Sequence, residues 1–188
     1  MDKTQIASFL LILGTILTYI GFGIFPARIY TSKNIRDRLD LLAAMPLRWV
    51  ISQAIVILGA FVAVAGSIFL ISYFSGSQRI LFATIGAIGF VLGHIFWIWQ
   101  LRLRIIQPPL FAKNELPGWL FTTFSVLALL GIANFGIAFW FQGIHQLLGA
   151  CLFFAGIIVL VLFLKFNDMP PFIYYAMTMA IGLTLFFV

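Results

Sequence analysis

The chain reads as an all-α, polytopic transmembrane helix bundle, and two observations carry that reading. Hydrophobic residues make up 63% of the 188 residues and charged residues only 9%. A soluble domain carries roughly 25% charged residues, because its surface must be solvated. The apolar residues also gather in six long stretches with no charged residue deep inside any of them. About 20 apolar residues, rising about 1.5 Å each, cross a hydrocarbon core of about 30 Å. A single integral membrane domain follows, with no sizeable soluble part.

The first span is placed at Gln5–Phe25. Its apolar region is too long for a signal peptide, and Pro26 disfavours cleavage at the small residue Ala27. It is read as a retained helix. The connection 26–48 is the longest. Within it Asn34 is placed to cap a short amphipathic helix around 34–45, which Pro46 stops. Ile35, Leu39, Leu42 and Met45 share one face, and Arg36 and Asp40 stand four apart as an ion pair would. Such a helix is expected to lie on the inner leaflet.

The second and third spans are placed at Trp49–Phe74 and Ile80–Leu101, joined by the turn Ser75-Gly76-Ser77-Gln78. The fourth and fifth, Trp119–Phe141 and Ile144–Leu164, are joined at Gln142-Gly143. Turns this short make each pair antiparallel neighbours. The sixth is placed at Phe172–Val188. Pro26, Pro46, Pro108-Pro109, Pro117 and Pro170-Pro171 all fall in or beside connections, where a residue without an amide hydrogen is tolerated. No repeat relates the first three spans to the last three, and no span is broken by proline at its middle, which counts against an inverted-repeat transporter.

Nine of the eleven basic residues fall in the connections 26–48, 102–118 and 165–171, and only Lys3 and Arg79 fall on the opposite side. Cationic loops stay in the cytoplasm, so both termini are expected outside. Trp49, Trp97, Trp99, Trp119 and Trp140 sit near span ends, as an interfacial aromatic belt requires. A bacterial inner membrane is the expected location. The formal charge of +6 is explained by topology, so nucleic acid is not an expected partner. Arg28, Lys33, Arg36, Arg38, Arg48, Arg102 and Arg104 are the candidates for contact with anionic lipid.

Few residues carry recognisable chemistry. The acids Asp2, Asp37, Asp40, Glu115 and Asp168 all fall outside the hydrocarbon, which excludes proton coupling through a buried carboxylate. A retinal protein would need a lysine at depth, and Lys165 is at a span end. Phosphate-binding loops, HExxH and cysteine–histidine metal spacings are absent, and the one cysteine, Cys151, lies within a span. No metal and no cofactor are expected. A haem or chlorophyll on His94 alone is the one pigment arrangement left open, because His145 falls at the opposite end.

His94 lies in the third span, where Gly86, Gly89, Gly93, Trp97 and Gln100 share a face. Small residues let a second helix approach, so this face and Gly131, Gly149 and Gly156 are helix-packing candidates. Asn134, costly in a membrane unless paired, is expected to bond between helices. His94, Trp97, Gln100 and Asn134 are the candidates for holding a ligand. The resulting expectation is a non-enzymatic scaffold or accessory subunit of a membrane complex, holding a lipid or other apolar ligand and packed against a partner or a second copy. Two rivals stand beside it. A channel or transporter for a neutral solute would line its path with His94, Gln100, Asn134, Thr15 and Thr18. An inner-leaflet lipid enzyme would bring Asp168 or Glu115 beside Arg102 or Arg104.

Overall fold

The computed structural model describes residues 2–166 and 170–187, and every regular element in them is a helix. Asn167, Asp168 and Val188 lie outside the described residues. The long helices are α1 (Lys3–Ile24), α4 (Pro46–Leu70), α5 (Ser77–Ile106), α7 (Gly118–Gln142) and α8 (Gln146–Phe166). All five are long and apolar enough to cross a membrane. Short helices fill the connections at one end: α2 (Arg28–Thr31), α3 (Ile35–Ala44) and α6 (Pro108–Ala112). The last, α9 (Phe172–Phe186), is apolar but only 15 residues long.

Local chemistry explains the boundaries. Asp2 and Gln5 form a reciprocal capping box at the start of α1, so that helix begins before the expected Gln5. Asn34 caps α3 by accepting from the Arg36 amide, as the sequence suggests. Pro46 does not merely end α3. It opens α4 at its first position, where a missing amide hydrogen costs nothing. Gly76 and Gly143, with φ of 89° and 86°, make the turns after α4 and α7.

The largest departure from expectation is at the end of α5. The third span was expected to stop at Leu101, with Arg102 and Arg104 in the following loop. The helix instead runs on to Ile106 and stops at Gln107, which precedes Pro108 and leaves the helical region with φ of −129° and ψ of 59°. Two residues on a helix are about 200° apart, so the two arginines must diverge. Arg102 is exposed and Arg104 is buried.

Not every helix pairs mainly with its sequence neighbour across a short turn. α1 packs most extensively along α4 and α5 along α7, partners joined through the longer connections. Of the turn-linked pairs, α7 and α8 pack extensively, as their short turn suggests, whereas α4 and α5 meet less. Close approach of backbones explains the preference. A Cβ on Gly14 would lie 2.6 Å from the Ala63 nitrogen, and one on Gly59 would lie 2.7 Å from the Gly14 carbonyl oxygen. These two glycines, not singled out in the sequence, face each other across the α1–α4 seam. Gly86 and Gly131 are likewise reciprocal between α5 and α7, with Gly89 and Gly93 beside them. Gly149 lies against Gly136, and Gly156 against Leu129 and Ala133, at the α7–α8 seam.

α9 lies along α1 and reaches α7 through Tyr174, whose ring is 5.2 Å from that of Phe124. Ser8 and Thr15 of α1 donate to the Gly182 and Tyr175 carbonyls at 2.8 and 3.2 Å, tying the two helices together. The main core runs through α1, α4, α5, α7 and α9. A second, smaller core of Phe25, Ile29, Leu42, Trp49, Phe111 and Ala112 gathers at the end that carries α2, α3 and α6.

Candidate functional site

The small core is the floor of the site. Trp49 stacks on Phe111 with ring centres 4.9 Å apart, and its indole nitrogen donates to the Arg104 carbonyl at 2.9 Å. That bond pins the start of α4 to the end of α5. Arg38, from α3, is drawn inward and is only 6% exposed. Its guanidinium donates to the Asn114 side chain and to the Phe111 carbonyl, both at 2.8 Å. Asn114 meets it from a left-handed backbone conformation with φ of 59°, which asparagine tolerates. Burial pulls the Arg38 guanidinium below the ordinary arginine range.

Arg104 reaches the same place from α5. Its guanidinium carbon lies 4.9 Å from the Phe111 ring centre and 5.0 Å from that of Trp97. It is 9% exposed, its Nε has no partner, and no acceptor among the described residues receives a hydrogen bond from it. Arg38 also stands 4.9 Å from the Phe111 ring, so two cations share one aromatic group. The ion pair among the described residues is elsewhere: Arg28 and Asp37 meet at 2.6 Å. The expected Arg36–Asp40 pair does not form.

Above Arg104 opens a cavity of about 740 Å³. α1 contributes Tyr19 and Phe22, α2 contributes Tyr30 and Thr31, α5 contributes Gln100 and Arg104, and α7 contributes Phe121. Pro170, Pro171 and Phe172 complete the wall. Sites for small molecules typically span about 300–1,000 Å³ and are apolar with a few placed polar groups. Here the polar residues are Arg104, Gln100 and Tyr30, with Tyr19 and Thr31, whose hydroxyls donate to the Phe172 and Ala27 carbonyls. Gln53 donates to the Tyr30 hydroxyl at 3.2 Å. Burial raises the Tyr30 phenol above its ordinary range, against the opposing pull of Arg104, so it stays a neutral donor. A smaller cavity of about 240 Å³ lies on the far side of Gln100 and Arg104, toward Asn114 and Thr122.

The four residues expected to hold a ligand do not converge. Gln100 lines both cavities. Trp97 lies behind them, stacked on Phe124 at 5.0 Å and supporting Arg104. His94 is deeper in the bundle, and neither cavity reaches it. Its Nδ1 donates to the Phe90 carbonyl at 2.8 Å, which leaves Nε2 as an acceptor without a partner. The rings of Phe90, Phe124 and Tyr175 enclose it at 4.1, 5.4 and 5.8 Å. Asn134 is only partly buried and donates to the Leu130 carbonyl of its own helix at 2.8 Å. The bond between helices expected of it is replaced by a bond within one.

Of the seven basic residues expected at a lipid surface, Arg28, Lys33, Arg36, Arg48 and Arg102 are exposed. Arg38 and Arg104 are not, and the reason is the aromatic floor that receives their guanidinium groups. The signal for Arg104 was present: it continues the Gly86–Gly93–Trp97–Gln100 face by one turn. Placing the end of the span at Leu101 hid it. Tyr30 and Phe172 carried no local signal. Among the described residues no group of three acids, histidines or cysteines is placed to hold a metal ion.

Compared with protein-family models, curated proteins and solved structures, the chain finds no match.

Proposed function

We propose that this is a non-enzymatic integral membrane protein that holds a lipid or other amphiphile in the 740 Å³ cavity, as a scaffold or accessory subunit of a membrane complex. The observation that supports it is the cavity's composition. Aromatic side chains make the wall, and a few polar groups gather at one end. An amphiphile needs that division, whereas a neutral solute path needs polar groups spaced along its length. Thr15 and Thr18 bond to helix carbonyls in buried positions, His94 is enclosed, and Asn134 is partly exposed on its own helix. Neither cavity is lined by any of these four residues, which weighs against the transporter reading. The lipid-enzyme reading needs a carboxylate beside Arg102 or Arg104. Glu115 is exposed and makes no ion pair with either, and Asp168 lies outside the described residues.

The same reading includes a topology. All six spans cross the bilayer, α9 being the shortest. The end with α2, α3 and α6 faces the cytoplasm of a bacterial inner membrane, and both termini face out. Five exposed basic side chains around the cavity's end then meet the anionic inner leaflet. The test is mass spectrometry, with an absorption spectrum, on protein extracted gently from its native membrane. A lipid or partner bound in stoichiometric amount is the expected result. A lone monomer without lipid, partner or pigment refutes the proposal.

A further inference from the structure

Arg104 poses an energetic problem that the apolar cavity does not solve. An ionised side chain out of water is costly unless it is paired. Its aromatic neighbours offset part of that cost. They accept no hydrogen bond in the plane of the guanidinium, where its five donors point. A second cation, Arg38, stands at the same ring and raises the cost further. Arg38 donates through Nη1 to Asn114 and through Nη2 to the Phe111 carbonyl, its Nε alone being buried without a partner, whereas Arg104 makes no side-chain hydrogen bond among the described residues. Beside Arg104, the Gln100 amide and the Tyr30 hydroxyl face the same cavity.

Depth matters too. α5 has 30 residues, or about 45 Å at helical rise, against a hydrocarbon core of about 30 Å. Arg104 is two residues from its end, so it stands at the level of the lipid headgroups rather than of the acyl chains.

We propose that Arg104, with Gln100 and Tyr30, binds the anionic group of an amphiphile, a phosphate or a carboxylate, whose apolar part lies against Phe22, Phe121 and Phe172. The inference rests on the reading that the cavity holds an amphiphile. It adds that the ligand is charged and names the residue that reads the charge. A planar guanidinium presents paired donors to phosphate or carboxylate oxygens, which an ammonium does not.

The experiment uses the full chain, delipidated in a non-ionic detergent and examined by native mass spectrometry. The probes are dioleoyl phosphatidylglycerol, oleate and dioleoylglycerol, the last carrying the same chains without an anion. Arg104→Gln and Arg104→Lys are compared with Arg79→Gln, which removes the same charge at the far end of α5. The expected result is that wild type and Arg79→Gln retain an anionic probe about tenfold or more over dioleoylglycerol. Arg104→Gln brings that ratio near unity, and Arg104→Lys falls between. Retention of phosphatidylglycerol but not oleate assigns the group as a lipid phosphate, and the reverse assigns a free carboxylate. Displacement of either by millimolar inorganic phosphate shows that the oxyanion itself is recognised. Equal retention of dioleoylglycerol by wild type overturns the anion site while leaving an amphiphile-holding cavity. So does an unchanged ratio in Arg104→Gln. Retention of no probe overturns both. The wild-type comparison stands even if the Arg104 variants do not fold.

Discussion

The α1–α4 seam makes a sharp prediction, because one substitution should have opposite consequences at two glycines. A methyl group on Gly59 would lie 2.5 Å from the Thr18 hydroxyl, 2.7 Å from the Gly14 carbonyl oxygen and 2.8 Å from the Thr18 nitrogen. Two of these are backbone atoms, so no rotamer change relieves them. Thr18 is itself held, its hydroxyl donating to the Gly14 carbonyl at 2.9 Å. The helices must separate, which loosens contacts along the whole seam. Overpacking of this kind costs about 1–3 kcal/mol. Gly23, near the end of α1, is exposed and has nothing within 4 Å of where its Cβ would stand. There alanine only removes backbone freedom from the unfolded chain and should stabilise by about 0.5–1 kcal/mol. The assay is denaturant unfolding in mixed micelles, followed by circular dichroism. Gly59→Ala should lose about 1–3 kcal/mol and Gly23→Ala should gain or stay level. Gly14→Ala with Gly59→Ala should cost less than the sum, since a seam already opened admits the second methyl group more cheaply. Equal stabilities for Gly59→Ala and Gly23→Ala would refute the close approach of α1 and α4.

Three further outcomes follow from other contacts. Trp49→Phe keeps the stack on Phe111 but removes the donor to the Arg104 carbonyl, so it should cost about 1 kcal/mol in the same unfolding assay. Asn134→Leu should change stability by no more than about 0.5 kcal/mol, because the amide bonds only to Leu130 of its own helix; a loss above about 1.5 kcal/mol would mean that it pairs with another helix. With Cys151 replaced by serine, a cysteine at Lys33 should resist a membrane-impermeant maleimide in intact cells and react after lysis, while one at Gln78 should react in both; the reverse pattern inverts the topology.

Much of the fold was legible in the residues because a bilayer imposes its rules locally. Each span must satisfy its own backbone hydrogen bonds, so apolar length alone marks a helix, and prolines and glycines mark the connections. The Asn34 cap and the turns at Gly76 and Gly143 were readable for the same reason: each depends on residues within a few positions of itself. The extension of α5 was local too, and was missed only because two arginines resemble a loop. A helix end can carry charge when one side chain meets solvent and the other meets a built floor.

What the sequence determined by itself is therefore the all-α membrane class, the approximate position of the long helices and the absence of acids at depth. What only the tertiary structure decided is partnership. Glycine contacts select α1 with α4 and α5 with α7, pairs that no short turn joins, while α7 and α8 pair across theirs. Aromatic rings contributed by α4, α5 and α6 turn Arg38 and Arg104 inward. The cavity is made where α1, α2, α5, α7 and α9 fail to close on one another. Its lining residues run from position 19 to position 172, and no local pattern records that they meet. Their meeting is a property of helix packing, set by the shapes of surfaces far apart in the chain.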